Sequence, residues 1–141
     1  MKRALSLFSM TLFVAAIALG QATTDKPAQK AVKETLTLKG YVVDQMCARG
    51  MLKKTNFMEK AAAHTQDCAL EDHCAETGYG LFSDGKWYKF DEKGSKQAGE
   101  LIQKSKREKG LYFEVSGKLA GDTFMVSSMK EAMAEAKPAV N

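Results

Sequence analysis

The sequence lacks the short motifs that identify common classes of enzyme. It contains no glycine-rich phosphate loop, no H-E-x-x-H pair of zinc ligands and no pattern suggesting a Ser-His-Asp triad. It also lacks a C-x-x-C pair, which argues against a thioredoxin-like exchange site. These absences favour a non-catalytic protein over an enzyme.

The chain also has no large excess of charge of one sign. It carries 21 basic and 17 acidic residues, a formal net charge of +4. Loss of Lys2 and Arg3 with an N-terminal signal would leave 19 basic residues and a net charge of +2. Because a surface that follows phosphates normally shows a strong basic excess, nucleic acid is an unlikely partner class.

The longest apolar run is confined to the N-terminus. Lys2 and Arg3 precede apolar residues 4–19, and the small residues Gly20 and Ala22 complete a cleavage pattern. We therefore predict a signal peptide at residues 1–22 and export to the periplasm or the medium. The run is shorter than the roughly 20 residues that a spanning helix needs, so no retained membrane anchor is expected.

The remaining residues show the periods of strands and helices. After a flexible leader at residues 23–33, alternation predicts a first strand that ends near Asp44. A long excursion at residues 46–77 follows, with a helix predicted near residues 56–64. Asp84-Gly85 predicts a tight hairpin between strands two and three. A helix at residues 95–109 and two strands at 111–119 and 123–129 complete the pattern, before a tail at 131–141.

This element order predicts the fold class. A β-β-β-α-β-β order is that of the five-stranded OB-like barrel, in which the helix between strands three and four plugs one end. We therefore expect one mainly β domain at residues 34–130, with a helical, cysteine-containing excursion between strands one and two.

Three cysteines, an odd number, leave two main interpretations open. In an oxidising compartment, Cys47 would form a disulfide with Cys68 or with Cys74. Alternatively, Cys47, His64, Cys68 and Cys74 would bind Zn²⁺, or Cu(I) with Met46 nearby, and His73 would be a spare ligand. If the predicted helix continues, His64 and Cys68 share one face of it. A redox-active thiol is the third interpretation.

Aromatic residues suggest a further site on the barrel. Trp87, Tyr88, Tyr79 and Tyr112 would form a stacking platform of the kind that other OB domains use. Alternation along a strand places Trp87 and Tyr88 on opposite faces, so at most one of these two can belong to such a platform.

Four segments resemble a group of small exported bacterial proteins to which no activity is assigned. They are residues 40–47 (GYVVDQMC), 64–74 (HTQDCALEDHC), 78–86 (GYGLFSDGK) and 117–126 (GKLAGDTFMV). Members of that group show a strand ending in Asp-x-x-Cys, a later cysteine pair and a closing hairpin. The resemblance implies an exported OB-like domain and no particular reaction.

The sequence thus predicts an exported, non-catalytic binding or structural module of unknown ligand, with the excursion tied by a disulfide. The alternative is a Zn- or Cu-binding protein of the cell envelope that uses the cysteine and histidine cluster. A protein partner, if there is one, is expected among other envelope proteins.

Overall fold

The computed structural model describes residues 34–134. The predicted signal peptide at residues 1–22 and the leader at residues 23–33 lie outside the described residues, as does the tail from residue 135 onward. Within the described range, no helix is long and apolar enough to cross a membrane.

Between residues 34 and 134 the chain forms five strands and five helices. The strands are β1 (Leu36–Asp44), β2 (Tyr79–Ser83), β3 (Lys86–Phe90), β4 (Tyr112–Ala120) and β5 (Thr123–Glu131). The helices are α1 (Gln45–Met51), α2 (Phe57–Ala62), α3 (Gln66–Leu70), α4 (Asp72–Ala75) and α5 (Glu92–Lys104). The sheet closes into a ring in the order β1-β2-β3-β5-β4. The prediction of a mainly β fold with a helical excursion between the first two strands is confirmed.

Strands β2 and β3 form the predicted hairpin. Asp84 and Gly85 have φ angles of 47° and 73°, the left-handed region that a type I′ turn requires at both central positions. Phe82 pairs with Trp87, and Ser83 pairs with Lys86, directly before and after this turn. The local sequence alone therefore sets the register of the hairpin.

Helix α5 begins and ends earlier than predicted. The Asp91 side chain accepts a hydrogen bond of 3.1 Å from the Gly94 amide, so the helix starts before Gly94 rather than after it. Gly94 lies inside the helix. Its backbone packs so closely against Val126 that a Cβ atom at this position would clash. At the other end, Ser105 is extended, so the helix stops at Lys104 and not at residue 109.

The excursion contains four short helices, not one continuous helix. Helix α2 ends at Ala62, and α3 begins at Gln66. Thr65 is the N-cap of α3, because its side chain accepts a hydrogen bond from the Cys68 amide. His64 lies in the connection between the two helices. The predicted helix therefore does not continue to Cys68, and the condition under which His64 and Cys68 would share a helix face is not met.

The sheet is packed on both sides near β1 and β2. A large apolar core that includes Leu81, Phe113 and Phe124 lies on one side. A smaller cluster of Val43, Phe82 and residues of α1 and α2 lies on the other. All five residues of β2 are buried as a result. Helices α1 and α2 of the excursion thus pack in the smaller cluster, whereas Ala69 of α3 belongs to the large core.

Candidate metal centre

Each cysteine lies in the first turn of a different short helix. Every one is three residues after the N-cap residue of its helix, in the pairs Asp44 and Cys47 (α1), Thr65 and Cys68 (α3), and Glu71 and Cys74 (α4). The Cys47 and Cys68 amides donate to the side chains of their cap residues. The Cys74 amide donates to the backbone oxygen of Glu71. Three separate helix starts therefore bring the thiols to one place.

Asp44 is the residue at which the sheet meets this cluster. It ends β1, it is 0% exposed, and its Oδ1 accepts a hydrogen bond of 2.8 Å from the Cys47 amide. That bond caps α1 and holds the carboxylate beside the Cys47 thiol. Asp44 was not predicted as a ligand, although its position in an Asp-x-x-Cys pattern was visible in the sequence.

Four potential ligand atoms converge here. One carboxylate oxygen of Asp44 and the sulfurs of Cys47, Cys68 and Cys74 all lie within 4.8 Å of one another. We call these residues the four-ligand site. Two sulfurs bound to one tetrahedral Zn²⁺ at 2.3 Å would be about 3.8 Å apart. The Cys47 and Cys68 sulfurs are 3.7 Å apart, which matches that spacing. No other pair of these ligand atoms is more than 4.8 Å apart, so each needs at most about 1 Å of adjustment.

The predicted disulfide is not formed. All three cysteines lie within the described residues, and all three are free thiols. The closest recorded approach, 3.7 Å between Cys47 Sγ and Cys68 Sγ, is well beyond the roughly 2.05 Å of an S–S bond. The structure thus brings the cysteines together, as the sequence suggested, without a covalent link.

The protonation states of these groups differ. Burial raises the pKa of the Cys47 thiol far above its ordinary value, and the nearby negative charge of Asp44 raises it further. Burial and Asp44 also raise the pKa of Cys74. For Asp44 itself burial opposes ionisation, but His64 and the Cys47 amide outweigh it and hold the carboxyl pKa below 3.8. At neutral pH, Cys47 and Cys74 are therefore protonated beside an ionised Asp44.

His64 lies against Asp44 and is not one of the four ligands. Its Nε2 atom is 3.1 Å from Asp44 Oδ2, and its side chain is 4% exposed. Asp44 Oδ2 and both ring nitrogens of His64 make no aligned hydrogen bond to any described residue. Asp44 Oδ2 and His64 Nε2 thus face each other as an ion pair, whereas His64 Nδ1 is a buried nitrogen without a hydrogen bond to a described residue, which is uncommon in folded proteins.

His73, the predicted spare ligand, is on the surface. Its Nε2 atom is 3.3 Å from Glu71 Oε2, and the two side chains are 64% and 56% exposed. With Cys74 they form a second group whose potential ligand atoms all lie within 4.8 Å of one another. The structure thus buries His64 beside Asp44 and leaves His73 exposed beside Glu71 and Cys74.

The four predicted platform residues do not share one exposed face. Tyr79 is 3% exposed, and its hydroxyl donates a hydrogen bond of 2.7 Å to the Ala69 carbonyl. Trp87 packs on Phe82, and Tyr88 packs towards the larger core. Tyr112 makes an edge contact with Tyr41. Trp87 and Tyr88 do face opposite sides of the sheet, as alternation predicted.

The arrangement can coordinate one cation that favours sulfur, with a single carboxylate oxygen to complete the shell. Three thiols and one carboxylate at tetrahedral spacing are ligand types that bind Zn²⁺. Relatives give no guide to the role of this site: the chain matches no protein-family model, no curated protein and no solved structure.

Proposed function

We propose that this protein binds one Zn²⁺ ion through Cys47, Cys68, Cys74 and Asp44. The observation that carries the proposal is the convergence of four ligand atoms within 4.8 Å of one another. They come from the end of a strand and from three separate helices, so no short sequence motif forces them together. A shell of four protein ligands with no open position is typical of structural zinc sites.

The buried pair of Asp44 and His64 supports the proposal. His64 Nε2 lies 3.1 Å from Asp44 Oδ2, and both side chains are buried. If Asp44 binds a metal ion, His64 would orient its carboxylate. Such outer partners commonly fix the direction of a metal ligand. His64 is accordingly a positioning residue in this proposal.

The ligand types favour Zn²⁺ over Cu(I). A carboxylate oxygen is an ordinary zinc ligand, whereas Cu(I) prefers thiolates and thioethers. Met46, the thioether expected to serve copper, is 44% exposed. It is not among the four convergent ligands. The carboxylate thus decides between the two ions.

We also propose that the sheet is an OB-like barrel of an exported protein. The strand order β1-β2-β3-β5-β4 and the position of α5 between β3 and β4 support the barrel type. Export rests on the N-terminal sequence pattern alone. An exported chain meets oxidants, and bound metal would protect its thiols from them.

The test is metal content and coordination in the purified protein. We expect one equivalent of Zn²⁺ per chain by elemental analysis. Co²⁺ substituted for it should give the strong visible bands of a tetrahedral thiolate site. Cys68→Ser and Asp44→Asn should weaken binding. Asp67→Asn, a matched change at an exposed carboxylate outside the site, should leave it intact. Three reduced thiols that bind neither ion would overturn the proposal.

A disulfide-tied binding module is the second candidate function. The 3.7 Å contact of Cys47 and Cys68 favours it, because a movement of about 1.7 Å would allow the bond. An open groove of about 630 Å³ beside α5, lined partly by Tyr79 and Phe90, would be the binding surface. Mass spectrometry of unreduced protein separates the candidates: a Cys47–Cys68 link without metal would support this one.

A further inference from the structure

Cys74 belongs to two groups of potential ligands at once. It is one of the four-ligand site, and it also lies within 4.8 Å of ligand atoms of Glu71 and His73. Cys74 itself is 2% exposed. One buried sulfur therefore connects the interior site with a pair of surface side chains, which we call the capture pair.

Exposure falls and ligand softness rises along the line from the surface pair to the interior sulfurs. The capture pair consists of His73, 64% exposed, and Glu71, 56% exposed, with 3.3 Å between Nε2 and Oε2. Imidazole and carboxylate bind hydrated divalent ions readily and hold them less firmly than thiolates do. The interior offers the softer sulfurs. A metal ion that binds at the surface is thus expected to bind more firmly to the interior sulfurs.

We propose that Glu71 and His73 form the site at which a divalent metal ion is captured before it moves, through Cys74, into the four-ligand site. This inference rests on the proposed zinc binding and adds a function to it: the centre exchanges its ion with solvent by a defined path. The ligand class is a hydrated divalent cation such as Zn²⁺.

The transfer is a sequence of ligand exchanges. Bonds from His73 Nε2 and Glu71 Oε2 to the ion form first and displace water. The Cys74 thiol then loses its proton to solvent as its sulfur binds the ion. The bonds to the capture pair break as Cys68, Cys47 and Asp44 take their places, and the two further thiol protons also go to solvent. No oxidation or reduction occurs at any step.

The test separates the rate of metal exchange from the affinity. Trp87, the only tryptophan in the chain, packs in the same apolar cluster as Cys47, so its fluorescence can report loading. Stopped-flow mixing with Zn²⁺ gives the loading rate, and mixing with a chelator gives the release rate. A competing chelator of known affinity gives Kd. The proteins are the wild type, His73→Ala, Glu71→Gln and Asp72→Asn.

We expect His73→Ala and Glu71→Gln to slow loading and release by the same factor, about tenfold, which corresponds to about 1.36 kcal/mol in the barrier to exchange. Kd should not change, because a path affects both directions equally. Asp72→Asn is the matched control, since Asp72 is exposed, adjacent to both residues and outside both groups. It should exchange metal like the wild type.

Three results would overturn the inference. Unchanged rates in the variants would mean that the ion enters directly past the half-buried Cys47 and Cys68. A parallel loss of affinity would make His73 or Glu71 a ligand of the bound ion. An equal effect of Asp72→Asn would mean that Glu71 and His73 act only through surface charge and do not bind the ion. These results leave zinc binding intact, whereas a wild type that binds no metal overturns both proposals.

Discussion

His64 Nε2 lies 3.1 Å from Asp44 Oδ2, and both side chains are almost entirely withdrawn from water. The pair joins the excursion to the end of β1, because His64 follows α2 and Asp44 ends the strand. Since the Cys47 amide donates to Oδ1 and His64 contacts Oδ2, both oxygens of this buried carboxylate are held in position beside the cysteines. The contact thus sets the direction of the one oxygen ligand in the proposed site.

Loss of His64 should weaken metal binding without removing a ligand. We expect His64→Ala to raise the Kd for Zn²⁺ by about 10- to 100-fold, as outer-partner losses commonly do. Competition with a chelator of known affinity measures this. His73→Ala, a change at the other histidine, is the control. Its Kd for Zn²⁺ should match that of the wild type. Equal Kd values for His64→Ala and the wild type would show that Asp44 is held without help from the imidazole.

The metal-free protein should lose stability in acid through Asp44. The carboxyl pKa is held below its ordinary 3.8 in the folded state. Its contribution to folding is therefore fully present above the unfolded-state pKa and disappears as the pH falls through the lower folded-state value. Urea unfolding of metal-free protein between about pH 7 and pH 2 should show the decline. Asp44→Asn should be less stable at neutral pH and should show a shallower decline. Asp67→Asn should follow the wild type.

The metal-free thiols should react slowly at neutral pH. Because burial and the charge of Asp44 raise the pKa of Cys47 and burial raises that of Cys74, few thiolates are present to attack an alkylating reagent. Mass spectrometry of timed reactions should show both residues reacting far more slowly than in urea-unfolded protein. Asp44→Asn should speed alkylation of Cys47. Rapid labelling of the folded wild type would mean that the thiols are activated and would favour a redox role.

Asp91 should contribute strongly to stability, because it joins two elements. Its Oδ1 accepts hydrogen bonds from the Gly94 amide, which caps α5, and from the Val126 amide in β5. We expect Asp91→Ala to lower the free energy of unfolding by about 1–3 kcal/mol. Chemical denaturation measures this. Glu92→Gln, an exposed change in the same turn, should cost only a few tenths of a kcal/mol.

Local signals in the sequence were sufficient for the strands and the hairpin. A type I′ turn requires positive φ at both central positions, and Asp-Gly is a preferred pair there. The role of Asp84 and Gly85 therefore did not depend on the rest of the chain. The start of α5 was predicted at residue 95, after Gly94, whereas the helix begins at Glu92. The place of Gly94 inside the helix is explained by Val126, which packs against it from a strand more than 30 residues later.

The candidate site was predictable only in part. The thiols were expected to meet because the excursion starts and returns at neighbouring strand ends. Asp44 was missed as a ligand because its sequence position also suits a strand end or a helix cap, and only tertiary packing places it near Cys68 and Cys74. A shared helix face for His64 and Cys68 depended on one helix continuing through both residues, but Thr65 caps a new helix between them.

The link made by Asp91 has a consequence for how the chain folds. Strands β3 and β5 pair through only two residue pairs, Lys89 with Thr123 and Phe90 with Phe124. The backbone and side chain of Asp91 extend that short seam by two hydrogen bonds, while the same carboxylate starts α5. One side chain therefore contributes both to the helix cap and to the closure of the ring. We expect the sheet to close in a single cooperative transition, in which an open ring with a free strand edge is only sparsely populated.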